Sequence, residues 1–351
     1  MQFFRNLHPQ ALRLAALTAV LLLTVLFFST QIDNYFSPRM FNRIATSAAV
    51  ILPIAIGQAL VVITRNIDLS VGSVVGIVAY LIGDFLGTHP DLGPVAVVLL
   101  SLLLGAACGA LNGALVAFGR VPSIIVTLGT LALYRTFLVE YSGARTITTG
   151  SLPHWLVDLP QTTLFTIGSL EIRTMVFVAL VTAAGFWLAL SRLRAARKFY
   201  AVGSNPDAAV MAGINAARVV FVAFVLSGAL AGLAGFGFLA KFGNITVVAG
   251  QGFELKSVAA VVVGGVNIFG GSGSIVGVVL GTVLVDTIDN SLTRWAIVSE
   301  FWRDALLGML IMTAVAADTF MTRSFRRLAG RRKPGGALAA KPAPELRGKN
   351  S

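Results

Sequence analysis

The sequence predicts an all-α, polytopic membrane protein of about ten transmembrane helices, with a weak internal two-half repeat. Three observations carry that prediction. First, 56% of the 351 residues are hydrophobic and only 12% are charged, with a mean hydropathy of +0.84. A water-soluble domain carries about a quarter charged residues, and no soluble shape of this size could hide so much apolar surface. Second, the 36 glycines suit helices that must pack closely where water cannot drive their association. Third, the basic residues are bunched beside apolar runs. Nine of the 27 lie between Arg323 and Lys349, and Arg192, Arg194, Arg197 and Lys198 share one short segment. That is how cytoplasmic loops of membrane proteins are marked. The net charge of +12 has no interleaved aromatic platform, which argues against a nucleic-acid partner and for membrane lipid.

The charge-poor runs are Leu14–Gln31, Ile44–Thr64, Leu69–Gly83, Gly93–Gly119, Val121–Tyr134, Thr174–Ser191, Val219–Ala240, Ser257–Val285 and Ala305–Ala317. A helix needs about 20 apolar residues to cross the hydrocarbon core. The first run has a basic flank at Arg5 and Arg13 but no small-residue cleavage site, so it reads as a retained helix rather than a signal peptide. Ser257–Val285 is too long for one span, and Gly270-Gly271-Ser272-Gly273 breaks it into two helices. The total is then ten. Six spans precede Arg192 and four follow it, which puts the N-terminus, the 192–218 segment and the C-terminal tail on the cytoplasmic side of a bacterial inner membrane. Residues 1–322 form one permease domain, with a short coupling segment at 192–218. The tail 323–351 is basic and expected to be disordered. The longest external segment is about Tyr141–Arg173, with smaller ones near Gly243–Lys256 and Leu292–Arg303. Trp155, Trp295 and Trp302 fall there as expected interface anchors.

The repeat is one of order. Asp68-Leu69 opens an apolar stretch that passes Gly93-Pro94 and ends around Asn112, and Glu254-Leu255 opens another that passes Gly273-Ser274 and ends at Asn290. Internal repeats of this kind build a pathway between two halves in transporters.

No catalytic constellation is visible. His8, His89 and His154 fall at a terminus or in loops, and Cys108 is the single cysteine. There is no HExxH, no GxSxG and no GxxxxGK[ST] loop. The expectation is therefore no enzyme, no cofactor and no metal, with any ATP hydrolysis supplied by a separate subunit. The informative soluble feature lies in the basic segment. Asn205 suits an N-cap, Pro206 the first helical position, and Asp207 the positive end of the helix dipole. Ala208, Ala209, Val210, Met211 and Ala212 would form about two turns, which Gly213 would stop. A plain connector would also account for such a helix. Small and apolar residues facing water, however, favour docking into a groove on a partner.

Four blocks then resemble the ribose-type branch of ATP-driven sugar permeases. They are Asn66-Ile-Asp-Leu-Ser-Val-Gly-Ser73, Asn112-Gly-Ala-Leu-Val116 with Val121-Pro-Ser-Ile-Ile-Val-Thr-Leu-Gly129, Tyr200–Ile214, and Gly252–Gly265 with Phe269–Gly277. The blocks follow in order from Asn66 to Gly277 and the hydropathy likeness extends from about residue 40 to 320, with the Asn66–Ser73 block and its surroundings most similar to the rhamnose or autoinducer-2-like members. It implies an importer of rhamnose or a related monosaccharide, with pentoses and other hexoses left open. It also implies a cytoplasmic ABC ATPase, a periplasmic sugar-binding protein, and a second permease copy or a paralogue as partners. On this resemblance, Asn205, Pro206, Asp207, Ala208, Ala209, Met211 and Gly213 seat in the ATPase.

Polar residues inside spans are the default candidates for the pathway. They are Asp68, Asn112, Glu254 and Asn290, beside Asp286 and Asp289. For Asp68 and Glu254 the competing role is a helix cap at the membrane boundary, for Asn112 an interhelical hydrogen bond, and for Asp286 and Asp289 a local ion pair with Arg294. The alternative at the level of function is an ion-gradient-driven secondary transporter of a small polar solute. It would usually show paired acids mid-span and would need no docking helix.

Overall fold

Proline, glycine and charge divide the apolar chain into its elements. A computed structural model describes residues 9–168 and 170–295, together with 302, 305, 306, 308, 309, 312 and 313. In chain order these are α1 (Pro9–Gln31), α2 (Pro38–Ile63), α3 (Val71–Thr88), α4 (Pro94–Ala117), α5 (Ser123–Ser142), α6 (His154–Asp158), β1 (Thr163–Ile167), β2 (Leu170–Arg173), α7 (Thr174–Arg192), α8 (Arg194–Ser204), α9 (Pro206–Met211), α10 (Ala216–Phe242), α11 (Phe253–Val263) and α12 (Ile275–Arg294). Among the described residues, eight helices are long and apolar enough to cross a membrane: α1 to α5, α7, α10 and α12. Most of Ala305–Ala317, the boundary at residue 322 and the tail 323–351 lie outside the described residues.

The central element is α2. It opens on Pro38, whose missing N–H costs nothing at a helix start, and the Ser37 hydroxyl accepts from Met40 N–H at 3.4 Å. Every residue from Thr46 to Ile63 is buried, and α7, α10, α11 and α12 pack around it. A helix apolar on all sides belongs in such a position. Beside it α4 crosses α10 at a seam of glycines. A Cβ on Gly105 or Gly109 would run into the Gly228 or Phe224 carbonyl, and one on Gly228 or Gly232 into the Gly105 or Ser101 carbonyl. Backbones touch here because no side chain stands between them.

Two expectations change. The run Ser257–Val285 does split into two helices, but the break starts at Gly264, ahead of the expected Gly270–Gly273, and runs to Ser274, and the first helix, α11, has only 11 residues. At 1.5 Å per residue it covers about 16 Å, roughly half the hydrocarbon core. The segment 243–252 before it is a series of turns with Gly243, Gly250 and Gly252 all at positive φ. The segment 143–173 is also not featureless. It carries α6 and the antiparallel hairpin β1–β2, turned at Gly168 with φ +62°. The alternating Thr-Leu-Phe-Thr-Ile of β1 is too short a period-two signal to stand out beside long helices.

Two of the tryptophans pack against neighbouring rings. Trp155 stacks on Phe236 with centroids 6.4 Å apart, and Trp295 meets Phe27 and Phe28 edge-on at 5.8 and 5.9 Å. Both are packing residues, with buried indole nitrogens. Trp302 is exposed.

The molecule has two distinct ends. At one, α8 meets the C-terminus of α2 and the 270–273 turn: Gly271 N–H donates to the Ile63 carbonyl at 2.9 Å, and the Tyr200 hydroxyl to the Gly273 carbonyl at 3.1 Å. Burial pushes the Tyr200 phenol above its ordinary pKa, so this bond is insensitive to physiological pH. At the other end, Ile147 bridges Ile245, Tyr141 reaches Asp84 at 2.8 Å, and Asn42 reaches Glu171 at 3.3 Å.

Candidate functional site

Between α2 and α3 the chain runs through seven residues, 64–70, without helix and with its middle buried. Backbone groups there need partners, because no water competes. Asp68 is 1% exposed. The side-chain amide of Gln58, on α2, donates to the Asp68 carbonyl at 3.0 Å and accepts from its N–H at 3.3 Å. One glutamine therefore does what a neighbouring strand would do. Asp68 Oδ1 accepts from Ser70 N–H at 3.0 Å and from the Ser70 hydroxyl at 2.7 Å, which turns the chain into α3, and Oδ2 lies 3.5 Å from Ser227 on α10. Ser123 and Thr127, on α5, hold the N–H and carbonyl of Ile67 at 3.2 and 3.3 Å. Asn112 Nδ2 donates to the Ser70 hydroxyl at 2.7 Å, joining α4 to the same cluster. Asp68 and Asn112 are thus brought together, deep in the helix packing rather than at a boundary.

Glu254 stands elsewhere, in the first turn of α11, where Oε1 accepts from Gly252 N–H at 3.1 Å. Its carboxylate covers Gly72, where a Cβ would collide with it, and Gly250 packs on the Gly72 carbonyl. The openings of α3 and α11 therefore touch. Arg135, on α5, donates from Nη1 to the Val247 and Ala249 carbonyls at 2.8 and 2.7 Å, holding the turns that precede α11. Asn290 is apart from both. Its Nδ2 donates to the Asp286 carbonyl at 2.9 Å and Oδ2 at 3.0 Å, while Asp286 Oδ1 accepts from Ser47 at 2.9 Å. Asp289 pairs with Lys256 at 2.7 Å, and Arg294 donates to the Asp33 carbonyl at 2.9 Å. Asn112 therefore bonds across helices and Asn290 along its own.

The surface helix α9 has the local chemistry its residues prescribe. Asn205 Oδ1 accepts from Ala208 N–H at 3.1 Å, Pro206 and Asp207 occupy the first turn, and Gly213 takes φ +77°. Gly213 and Ile214 N–H groups close onto the Val210 and Ala209 carbonyls at 2.9 Å each. The helix proper has six residues. Met211 is 90% and Val210 58% exposed, whereas Ala209 is 4% exposed. Ala209 therefore faces the protein, and the outward apolar pair is Val210 and Met211.

Residue-by-residue reading of the sequence passed over Gln58, Ser70, Ser227, Arg65 and Arg135. Gln58 carried a signal, as the one amide side chain within the run Ile44–Thr64. Ser227 carried little, since serine is common in close-packed membrane helices.

With this geometry in view, the relatives fall into one pattern. Residues 40–315 match the profile of a family described as branched-chain amino acid transport system / permease component. The autoinducer 2 import system permease protein LsrC of Escherichia coli O9:H4 (strain HS) is 37% identical over 322 residues, 91% of this chain and 90% of the relative. Its counterpart in Shigella flexneri is 38% identical over 322 residues, with the same coverage. That of Yersinia pseudotuberculosis serotype O:3 (strain YPIII) is 36% identical over 319 residues, 91% of this chain and 86% of the relative. No solved structure matches the chain.

Proposed function

The chain belongs to the permease component family of branched-chain amino acid transport systems, and we propose that it imports a monosaccharide-like solute through an ATP-driven complex. Rhamnose and autoinducer-2 are the two solutes to try first, the second because the relatives carry it in their names. The proposed assembly is two permease copies, or one copy and a paralogue, with a cytoplasmic ATPase and a periplasmic solute-binding protein. Both termini and the 192–218 segment face the cytoplasm, residues 1–322 form the permease domain, and 323–351 is a tail outside it.

The observation that carries this reading is α9: a capped helix whose Val210 and Met211 stand in water. Exposing two large apolar side chains beside a buried Ala209 suits a groove on a partner. In this reading Asn205, Pro206, Asp207 and Gly213 set the shape of the docking helix, and Ala208, Val210 and Met211 supply its outer face. Within the core, Asp68 and Asn112 are too deeply buried to meet a solute. In this reading they support the pathway from behind, and Glu254 and Asn290, which are partly exposed, contact the solute.

The test is ATP-dependent uptake of labelled rhamnose and autoinducer-2 by proteoliposomes holding the permease, its co-encoded ATPase and the loaded binding protein. Uptake that needs all three components is the expected result. Uptake by the permease alone, driven by a proton or sodium gradient, would replace this reading with a secondary transporter.

A further inference from the structure

Arg65 stands where the surface segment and the buried cluster meet. It follows the last turn of α2, at φ +68°, a conformation non-glycine residues avoid unless their surroundings hold them there. Its guanidinium does so. Nε donates to the Gly203 carbonyl at 2.5 Å and Nη2 to the Ser204 carbonyl at 2.6 Å. These carbonyls close the C-terminus of α8, where helix carbonyls lack internal partners and a positive charge is favourable. The contact has no slack. Gly203 lies so close to the Ile63 carbonyl that a Cβ could not enter, and Gly271 N–H bonds the same carbonyl.

From Arg65 the chain goes directly to the cluster. Asn66 bonds the Thr64 carbonyl at 2.9 Å, Ile67 is held by Ser123 and Thr127, Asp68 by Gln58, and Ser70 by Asn112. Three residues of extended chain span about 10 Å, so Arg65 and Asp68 are one short tether apart. Tension applied at α8 has no helix in which to dissipate before reaching Asp68.

We propose that Arg65 is a positioning residue that transmits movement of the 192–218 segment to the Asp68–Asn112 cluster. It rests on the proposed ATP-driven reading, and extends it from the docking helix to the route inward. The guanidinium fork grips two successive carbonyls, so α8 cannot shift without drawing the 64–70 segment with it. Coupling of this kind requires a contiguous element that both sites bias, and the segment 63–70 is that element.

Cys108, the single cysteine, reports on the far end of the tether. It lies one turn before Asn112 on α4 and is partly exposed. The experiment uses the full complex in nanodiscs, with cysteine-free partners, and measures N-ethylmaleimide labelling of Cys108 without nucleotide and with Mg-ATP and vanadate. In wild type the labelling rate should change by about fivefold or more, the scale of ordinary site-to-site coupling. In Arg65→Gly, which removes the fork and relieves the backbone, that change should vanish while the ATPase still hydrolyses ATP. Arg65→Lys, which keeps the charge but only one donor direction, should retain part of it. Arg65→Asn, tolerated at positive φ, serves if the glycine variant does not assemble. An unaltered nucleotide response in Arg65→Gly or Arg65→Asn overturns the proposal. So does a wild type that imports solute with no response at Cys108, a result that leaves the importer reading standing.

Discussion

Two irregular segments enter the helix packing, 64–70 before α3 and 243–252 before α11, and they are held by opposite means. The first is held by side chains. Gln58, Ser123, Thr127, Ser227 and Asn112 reach it from α2, α5, α10 and α4. The second is held by backbone shape. Gly243, Gly250 and Gly252 sit at φ +63°, +72° and +84°, and one guanidinium, Arg135, grips two carbonyls. Both solve the same problem, since a non-helical chain at this depth needs every polar group met. A segment bound by many side chains loses one bond per substitution. A segment bound by its own geometry fails at single glycines.

That contrast orders the expected effects. Gly250→Ala should be the most damaging change, because the new Cβ meets the Gly72 carbonyl and the residue must keep a left-handed backbone. Left-handed cost and overpacking together come to about 3 kcal/mol. A large fall in the thermal midpoint of the detergent-solubilised protein would register it. An unchanged midpoint would show that 243–252 is looser than its contacts suggest.

Gln58→Leu comes next. It leaves the N–H and carbonyl of Asp68 buried without partners, a loss of about 2–3 kcal/mol. Gln58→Glu offers a donor and an acceptor when its carboxyl is protonated and only acceptors when ionised, so it should recover most of that loss at low pH and less at high pH. Equal recovery at both pH values would mean the donor side of the amide does nothing. Arg135→Gln should cost about 1–2 kcal/mol, since a neutral amide can reach one of the two carbonyls but not both with charge. Its signature would be faster hydrogen exchange confined to 246–252.

How much of this was legible in the sequence divides along the same line. The spans were legible because lipid demands long apolar runs. The helix α9 was legible because Asn205, Pro206 and Gly213 are each local instructions for starting or stopping a helix. The half-length of α11 was hidden. Ser257–Val263 is as apolar as any span, and only the glycines at 250 and 252, read as positive-φ positions, would have revealed that the chain arrives by turns. Asp68, Asn112, Glu254 and Asn290 were visible as intramembrane polar residues, but their grouping was not. Asp68 meets Asn112 through Ser70, 42 residues from Asn112, and nothing local encodes that pairing. Ala209 was misplaced for a simpler reason: a six-residue helix has too few turns for its inner face to show as a period.

The smallest effect is the sharpest test of whether 64–70 acts as one unit. Ser123→Ala removes the acceptor for Ile67 N–H and should cost about 1 kcal/mol alone, the worth of one buried hydrogen bond. In a Gln58→Leu background its effect should shrink. Once Asp68 is released, Ile67 next to it has already lost much of its fixed position, and the serine has less left to hold. Distant, independent sites add within about 0.5 kcal/mol. Strict additivity of the two changes would therefore mean that Ile67 and Asp68 are anchored separately, and that the side-chain-bound segment is a row of independent attachments. Sub-additivity would make it a single element, the property a tether from Arg65 to Asn112 must have.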